Sequence, residues 1–282
     1  MIKPIKYKYL TLLCALLISA PAIALERQQS CYQQLELEQP EGNLDKALYI
    51  LVDQTMPLSA TMRANLTKLL DQHPRSGERV RVARFAPNTK GQYTDLIYEA
   101  ELDSKPSEAY LYHLRDEDNH ALLTCLKDRD KALKQSFNSA LQHSLGIINT
   151  ALPKTEILHA LKRLSETVLI NDDIDDKTVL IISDGMENSE ITTFYRRKTV
   201  KRINIEKEMA KVVKHNLLAN WRGAKVYMFG LGNIKNQNKH IKPSQLEPLQ
   251  LFWQNYFNAG GANIKELGTP AILSSNLFDT VH

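Results

Sequence analysis

Short unbroken apolar runs alternate along the chain with longer stretches in which apolar residues recur every three or four positions. Leu48-Tyr49-Ile50-Leu51-Val52 runs straight into Asp53, Gln54 and Thr55. A run of that kind predicts a strand buried on both faces, as found in parallel sheets. Thr178-Val179-Leu180-Ile181-Ile182 repeats the pattern and ends in Ser183-Asp184-Gly185, and residues 225–229 form a third such run. Residues 79–85 and 95–102, joined by a turn at 88–91, alternate polar and apolar instead. That patterning predicts a hairpin at a sheet edge with one face wet.

Helical spacing fills the gaps between the strands. Leu58, Met62, Leu66, Leu69 and Leu70 share one face, and His73-Pro74 ends that helix. Leu133, Phe137, Leu141, Leu145 and Ile148 mark a second helix. Ile157, Leu158, Leu161, Leu164 and Val168 mark a third, beginning at Thr155. Met209, Val213, Leu217 and Trp221 predict a fourth. A last helix from Pro243 is stopped by Gly260-Gly261 ahead of a short strand at 263–267. Residues 103–126 carry Pro106 and a charged patch and read as a loop-rich insertion. The acidic stretch at 172–176 reads as a solvated connection, and Gly230-Leu231-Gly232 as a turn. Strands alternating with helices place the chain in the α/β class, with a central, mostly parallel sheet and an edge hairpin.

Composition changes the picture at the N-terminus. Lys3, Lys6 and Lys8 precede an apolar stretch at residues 10–20, and Ala22-Ile23-Ala24 offers a cleavage signal. Residues 1–24 therefore read as a secretory signal peptide. The apolar stretch is short for a span of about 20 residues, and no second long run follows it. The expectation is an exported protein with no stable membrane span after cleavage, in the periplasm of a Gram-negative bacterium. Residues 25–44 form a polar lead-in and 45–282 a single domain. The whole chain has 36 basic and 32 acidic side chains; without the three lysines of the signal, 33 basic remain. That balance removes the basic footprint a nucleic-acid-binding domain needs. Cys31 and Cys125 remain after cleavage, and an oxidising compartment favours a disulfide between them over two free thiols.

The candidate chemistry lies at the strand tips. Asp53 and Asp184 each end a buried strand, where open α/β sheets place their ligands. With Thr55 and Thr155 they form a set of hard oxygen donors suited to magnesium, with manganese as an alternative. Separately, Thr155 fits a helix N-cap and Asp184-Gly185 fits a turn. An aspartate directly after five buried apolar residues demands a partner.

In order and spacing, Asp53-Gln54-Thr55-Met56-Pro57, Thr155 and Ser183-Asp184-Gly185 resemble the von Willebrand factor type A (VWA) family. The metal-ion-dependent adhesion site (MIDAS) of that family uses an Asp-x-Ser-x-Ser loop, a distant threonine and a distant aspartate. The resemblance covers roughly residues 45–270. It implies a Rossmann-like fold with helices on both faces of the sheet, and a protein-binding, non-enzymatic role in which a partner's acidic side chain completes the metal shell. The site departs from the pattern at Pro57, which stands where the second serine belongs, and Ser59 is its nearest substitute. The basic run Arg196, Arg197, Lys198, Lys201 and Arg202 follows the Asp184 strand and is a candidate partner-docking surface. Two alternatives stay open: a metal-free scaffold component of an envelope assembly of secretion or conjugation type, and a metal-dependent phosphohydrolase using the same aspartates.

Overall fold

The computed structural model describes residues 29–85, 94–146, 154–196, 199–233 and 243–268. The expected signal peptide, the turn at 88–91 and Ile148 lie outside these residues. The elements in chain order are α1 (Cys31–Gln34), β1 (Lys46–Asp53), α2 (Ala60–Leu70), β2 (Glu78–Phe85), β3 (Thr94–Leu102), α3 (Glu108–Tyr112), α4 (Asp116–Gly146) and α5 (Ile157–Leu164). A wider helical turn over Ser165–Leu169 extends α5. Then follow β4 (Asp176–Ile182), β5 (Tyr195–Arg196), β6 (Thr199–Val200), α6 (Ile205–Lys214), β7 (Lys225–Phe229), α7 (Pro243–Ala259) and β8 (Asn263–Gly268).

Six strands form one sheet in the order β3-β2-β1-β4-β7-β8. All neighbours are parallel except β2 and β3, the antiparallel edge hairpin that the period-two patterning predicts. The two apolar runs become its centre. Along β1, Tyr49 and Leu51 enter the core shared with α5 and α7, while Leu48, Ile50 and Val52 enter the core shared with α2 and α4. A strand that must satisfy two cores has no position for a polar residue until its tip. This explains why its sequence is continuously apolar. Strand order reverses between β1 and β4, and the carboxyl ends of both open on the same side. Such a reversal leaves a crevice in which doubly wound sheets bind ligands.

Several expectations change. Residues 103–126 are largely helical, in α3 and the first turns of α4. The charged patch there includes Asp116, Glu117 and Asp118, which occupy the first turn of a 31-residue helix. Acidic side chains at that end oppose the helix dipole favourably. Cys31 and Cys125 are bonded with Cα atoms 5.9 Å apart, fastening α1 to α4 across 94 residues. In the entropy model a loop of that size contributes about 4–5 kcal/mol. Helix α6 stops at Lys214, so Leu217 and Trp221 are buried by the following segment, and Val213 is 65% exposed. Among the described residues, no helix is long and apolar enough to cross a membrane.

The acidic stretch at 172–176 is not simply solvated. The Asp172 side chain is fully buried and accepts Arg79 Nη1 at 2.9 Å, Arg81 Nη1 at 3.0 Å, the Ile174 amide at 3.0 Å and the Tyr49 hydroxyl. Glu101 and Glu99 hold the other side of the two guanidinium groups at 2.7 Å each. Burial alone pushes the Asp172 carboxyl up, but the Tyr49 and Ile174 hydrogen bonds and the Arg79 charge bring it below the ordinary range.

Candidate metal centre

Asp53 ends β1 buried, and its carboxylate organises the loop that follows. Oδ1 accepts the Thr55 amide at 2.8 Å and the Thr55 hydroxyl at 2.6 Å. The chain turns between the two residues, so carboxylate and hydroxyl meet across an Asx turn, not along one face of an extended strand. Thr55 Oγ1 lies 2.8 Å from Thr155 Oγ1. Asp53 Oδ2 accepts the Ser183 hydroxyl at 2.7 Å, and Ser183 Oγ in turn accepts the Gly185 amide at 3.1 Å. Two ends of the chain's oxygen set, separated by 130 residues, are therefore in direct contact.

Thr155 is not the helix cap that its sequence position allows. Its amide and carbonyl exchange hydrogen bonds with Asn188 at 3.1 and 2.8 Å. Helix α5 starts two residues later, and Glu187 Oε2 accepts its Leu158 amide at 3.0 Å. The Thr155 loop is thus fastened at two points to the segment that follows Asp184. Ser59 serves α2 instead of the centre, and its hydroxyl caps that helix by accepting the Met62 amide at 3.1 Å. Pro57 offers no hydroxyl, and its carbonyl accepts Asn233 Nδ2 at 3.0 Å.

Asp184 follows β4 and accepts the Met186 amide at 2.9 Å. Gly185 then takes φ +71°, and a Cβ there would stand 2.7 Å from Trp253 Nε1. Only glycine satisfies both demands. The Gly230–Gly232 turn closes this side, with the Gly232 amide donating to the Asp184 carbonyl at 2.8 Å.

The electrostatics single out these two aspartates. Burial raises the Asp53 carboxyl above its ordinary value against the opposing hydrogen bonds of Thr55 and Ser183. Burial first, and then the charge of Asp53, push Asp184 up to about 8. No lysine or arginine pairs with either carboxylate among the described residues. A buried anion without a counter-charge is costly, and a bound cation removes that cost. No cluster of three or more His, Cys, Asp and Glu side chains is placed to hold a metal among the described residues. An ion here would rest on two carboxylates with threonine and serine hydroxyls. That all-oxygen set suits magnesium, which keeps several waters and needs few protein ligands.

Of the basic run, Arg196 ends β5, which pairs with β6, and Lys201 and Arg202 follow β6. Arg197 and Lys198 lie outside the described residues. Lys201 Nζ reaches Glu208 Oε1 and the Thr193 carbonyl at 3.4 Å each, and Arg202 is exposed. The hairpin borders the crevice: burial and then the Asp184 charge raise the Tyr195 hydroxyl.

Ser183 and Glu187 are the participants that residue patterning does not assign. Ser183 stands in the Ser-Asp-Gly triplet, directly before the aspartate, and that adjacency is its one signal. Glu187 has none, since its role depends on a helix start 29 residues away in sequence.

This topology, with its oxygen residues over the β1–β4 crevice, is a VWA-like fold. Among solved structures, the chain is similar to proximal thread matrix protein 1 of the mussel byssus, whose MIDAS motif holds zinc. That match has 13% identity, covers 83% of this chain and 46% of that one, and has a TM-score of 0.38. It is also similar to the PilB minor pilin of Streptococcus sanguinis, with 10% identity, 83% and 59% coverage and a TM-score of 0.46. A third similar structure is the SpRpn10 VWA domain, with 9% identity, 83% and 94% coverage and a TM-score of 0.35. The chain thus spans less than half of the mussel protein and about three-fifths of the pilin. No protein-family model matches it, and no curated protein does.

Proposed function

We propose that the chain is an exported protein-binding module that docks an acidic side chain of a partner protein through a divalent cation. Asp53, Thr55, Thr155 and Asp184 would hold the ion, magnesium or manganese, directly or through water, with Ser183 orienting Asp53. The observation that carries this reading is the pair of aspartates, buried Asp53 and half-buried Asp184, which lack a basic partner among the described residues, with Asp53 hydrogen-bonded to the Thr55 and Ser183 hydroxyls and Thr155 hydrogen-bonded to Thr55. When bound, the ion supplies an open coordination position for a carboxylate. The chain supplies the rest: the Asx turn fixes Thr55, the Asn188 bridge fixes Thr155, and Gly185 lets the backbone turn beneath Asp184. Exposed Arg202, after β6, would add a positive charge for an acidic partner. The module binds and does not turn over.

Calorimetric titration with magnesium and manganese, with Asp53→Ala alongside, tests the reading. Saturable binding to the parent that disappears in the variant is expected. Absence of binding to the parent would leave the metal-free scaffold reading instead, with Pro57 as the reason.

A further inference from the structure

A cavity of about 710 Å³ lies at the opposite pole of the sheet, where β2 begins and β3 finishes, between the segment after α2 and helix α4. That volume falls within the roughly 300–1,000 Å³ of small-ligand sites. Its floor is aliphatic. Leu102 and Leu126 are buried, whereas Leu123 remains 46% exposed on the wall. The rim is cationic, with Lys105, Lys127, Lys134 and Arg75 around it.

The two acids in the lining offset only the Lys134 part of that rim. Asp103 is turned inward, accepting the Cys31 amide at 2.8 Å and Asn43 Nδ2 at 3.0 Å. Asp130 pairs with Lys134 at 2.9 Å. Lys105 and Lys127 reach no carboxylate among the described residues. In a chain whose charges otherwise nearly cancel, this is a local excess of positive charge over an apolar floor. The lining carries few neutral polar side chains. Ser76 Oγ is taken by the Lys105 amide at 2.8 Å, and Gln72 is the single side-chain amide present.

We propose that this cavity binds a single-chain anionic amphiphile, with its aliphatic tail on Leu102, Leu123 and Leu126 and its carboxylate or phosphate head held by Lys105 and Lys127. Nothing in this assignment depends on the Asp53 centre.

The test is calorimetric titration of the full chain with laurate and with dodecyl phosphate, each kept below micelle formation, beside neutral dodecanol. Saturable one-to-one binding of either anion supports the proposal, and the tighter of the two identifies the head group. Dodecanol binding and laurate binding to Lys105→Glu/Lys127→Glu should each be weaker by at least about tenfold. Leu123→Trp, which fills the mouth, should weaken binding without touching the rim, and Asp53→Ala should leave it unchanged. Unaltered melting temperatures confirm that the variants are folded. Equal affinity for dodecanol, an unaffected lysine variant, or no saturable binding of either anion would overturn the proposal. So would attachment to anionic phospholipid vesicles without binding of the monomeric amphiphile.

Discussion

Two acidic centres, built on buried Asp172 and buried Asp53, sit at opposite ends of the same central strands, and the chain treats them differently. Asp172 is met by Arg79, Arg81 and the Tyr49 hydroxyl, and its carboxyl is held below the ordinary range. Asp53 and Asp184 are met by hydroxyls and amides, and both are raised. Desolvation is the largest influence at both ends. The outcome turns on whether the sequence adds a guanidinium charge to the hydrogen bonds, as Arg79 does beside those of Tyr49 and Ile174 to Asp172. Where it does, the acid is a structural tie between β1, β2 and the start of β4. Where it does not, the acid keeps the cost of its burial.

Removing one side of the lower centre should have the largest effect. Asp172→Ala leaves two guanidinium groups short of a buried counter-charge and should cost about 3–5 kcal/mol in urea unfolding. The corresponding change at the upper centre should have the opposite sign. Asp53→Asn removes a desolvated charge that no basic group offsets, so the metal-free protein should gain stability at neutral pH, by roughly 1–2 kcal/mol, while cation binding is lost. Finding both substitutions equally destabilising would erase the contrast between the centres.

The pH dependence sharpens the same point. Asp184 has a folded value raised from 3.8 to about 8, so its contribution to stability is fully present below about pH 4 and is lost as pH rises through 8. Glu187 is raised by burial from 4.5 to about 8 and acts in the same direction. Metal-free protein should therefore lose stability as pH rises from 4 through 8 in urea titrations. Magnesium at a hundredfold excess over its Kd should restore about 2.7 kcal/mol at the alkaline end. A stability profile that is flat from pH 4 to 8 would contradict the unpaired state of the upper acids. The smallest effect is expected at Ser59. Ser59→Ala should cost about 1 kcal/mol through the lost α2 cap and leave cation affinity unchanged. Loss of affinity there would instead make Ser59 part of the centre.

Much of this was legible in the residues because the central strands leave so little freedom. A strand that feeds two cores must be apolar throughout, so β1 and β4 announce themselves, and an aspartate at such a tip has few structural excuses. Helix α4 was legible from Leu133 onward but not at its start. Leu122 and Leu126 already keep helical spacing with Leu133 and Phe137, yet the acidic first turn before them resembles a loop. Asp172 misled for a related reason. A run of aspartates looks solvated unless the arginines that bury it, 93 and 91 residues away in sequence, can be foreseen. Ser59, two residues past Pro57, pointed to the metal by spacing alone, and the geometry of a helix start claimed it first.

The bond from Ser183 to Asp53 joins positions 130 residues apart. It can close only after β4 has slotted in beside β1, with the edge hairpin and the long helix already accommodated between them in the chain. Contacts of such long range form late, because the loop they close must first be ordered. A half-folded or truncated chain would present Asp53 without Asp184. The complete set of oxygens over the crevice is thus a property of the finished molecule alone.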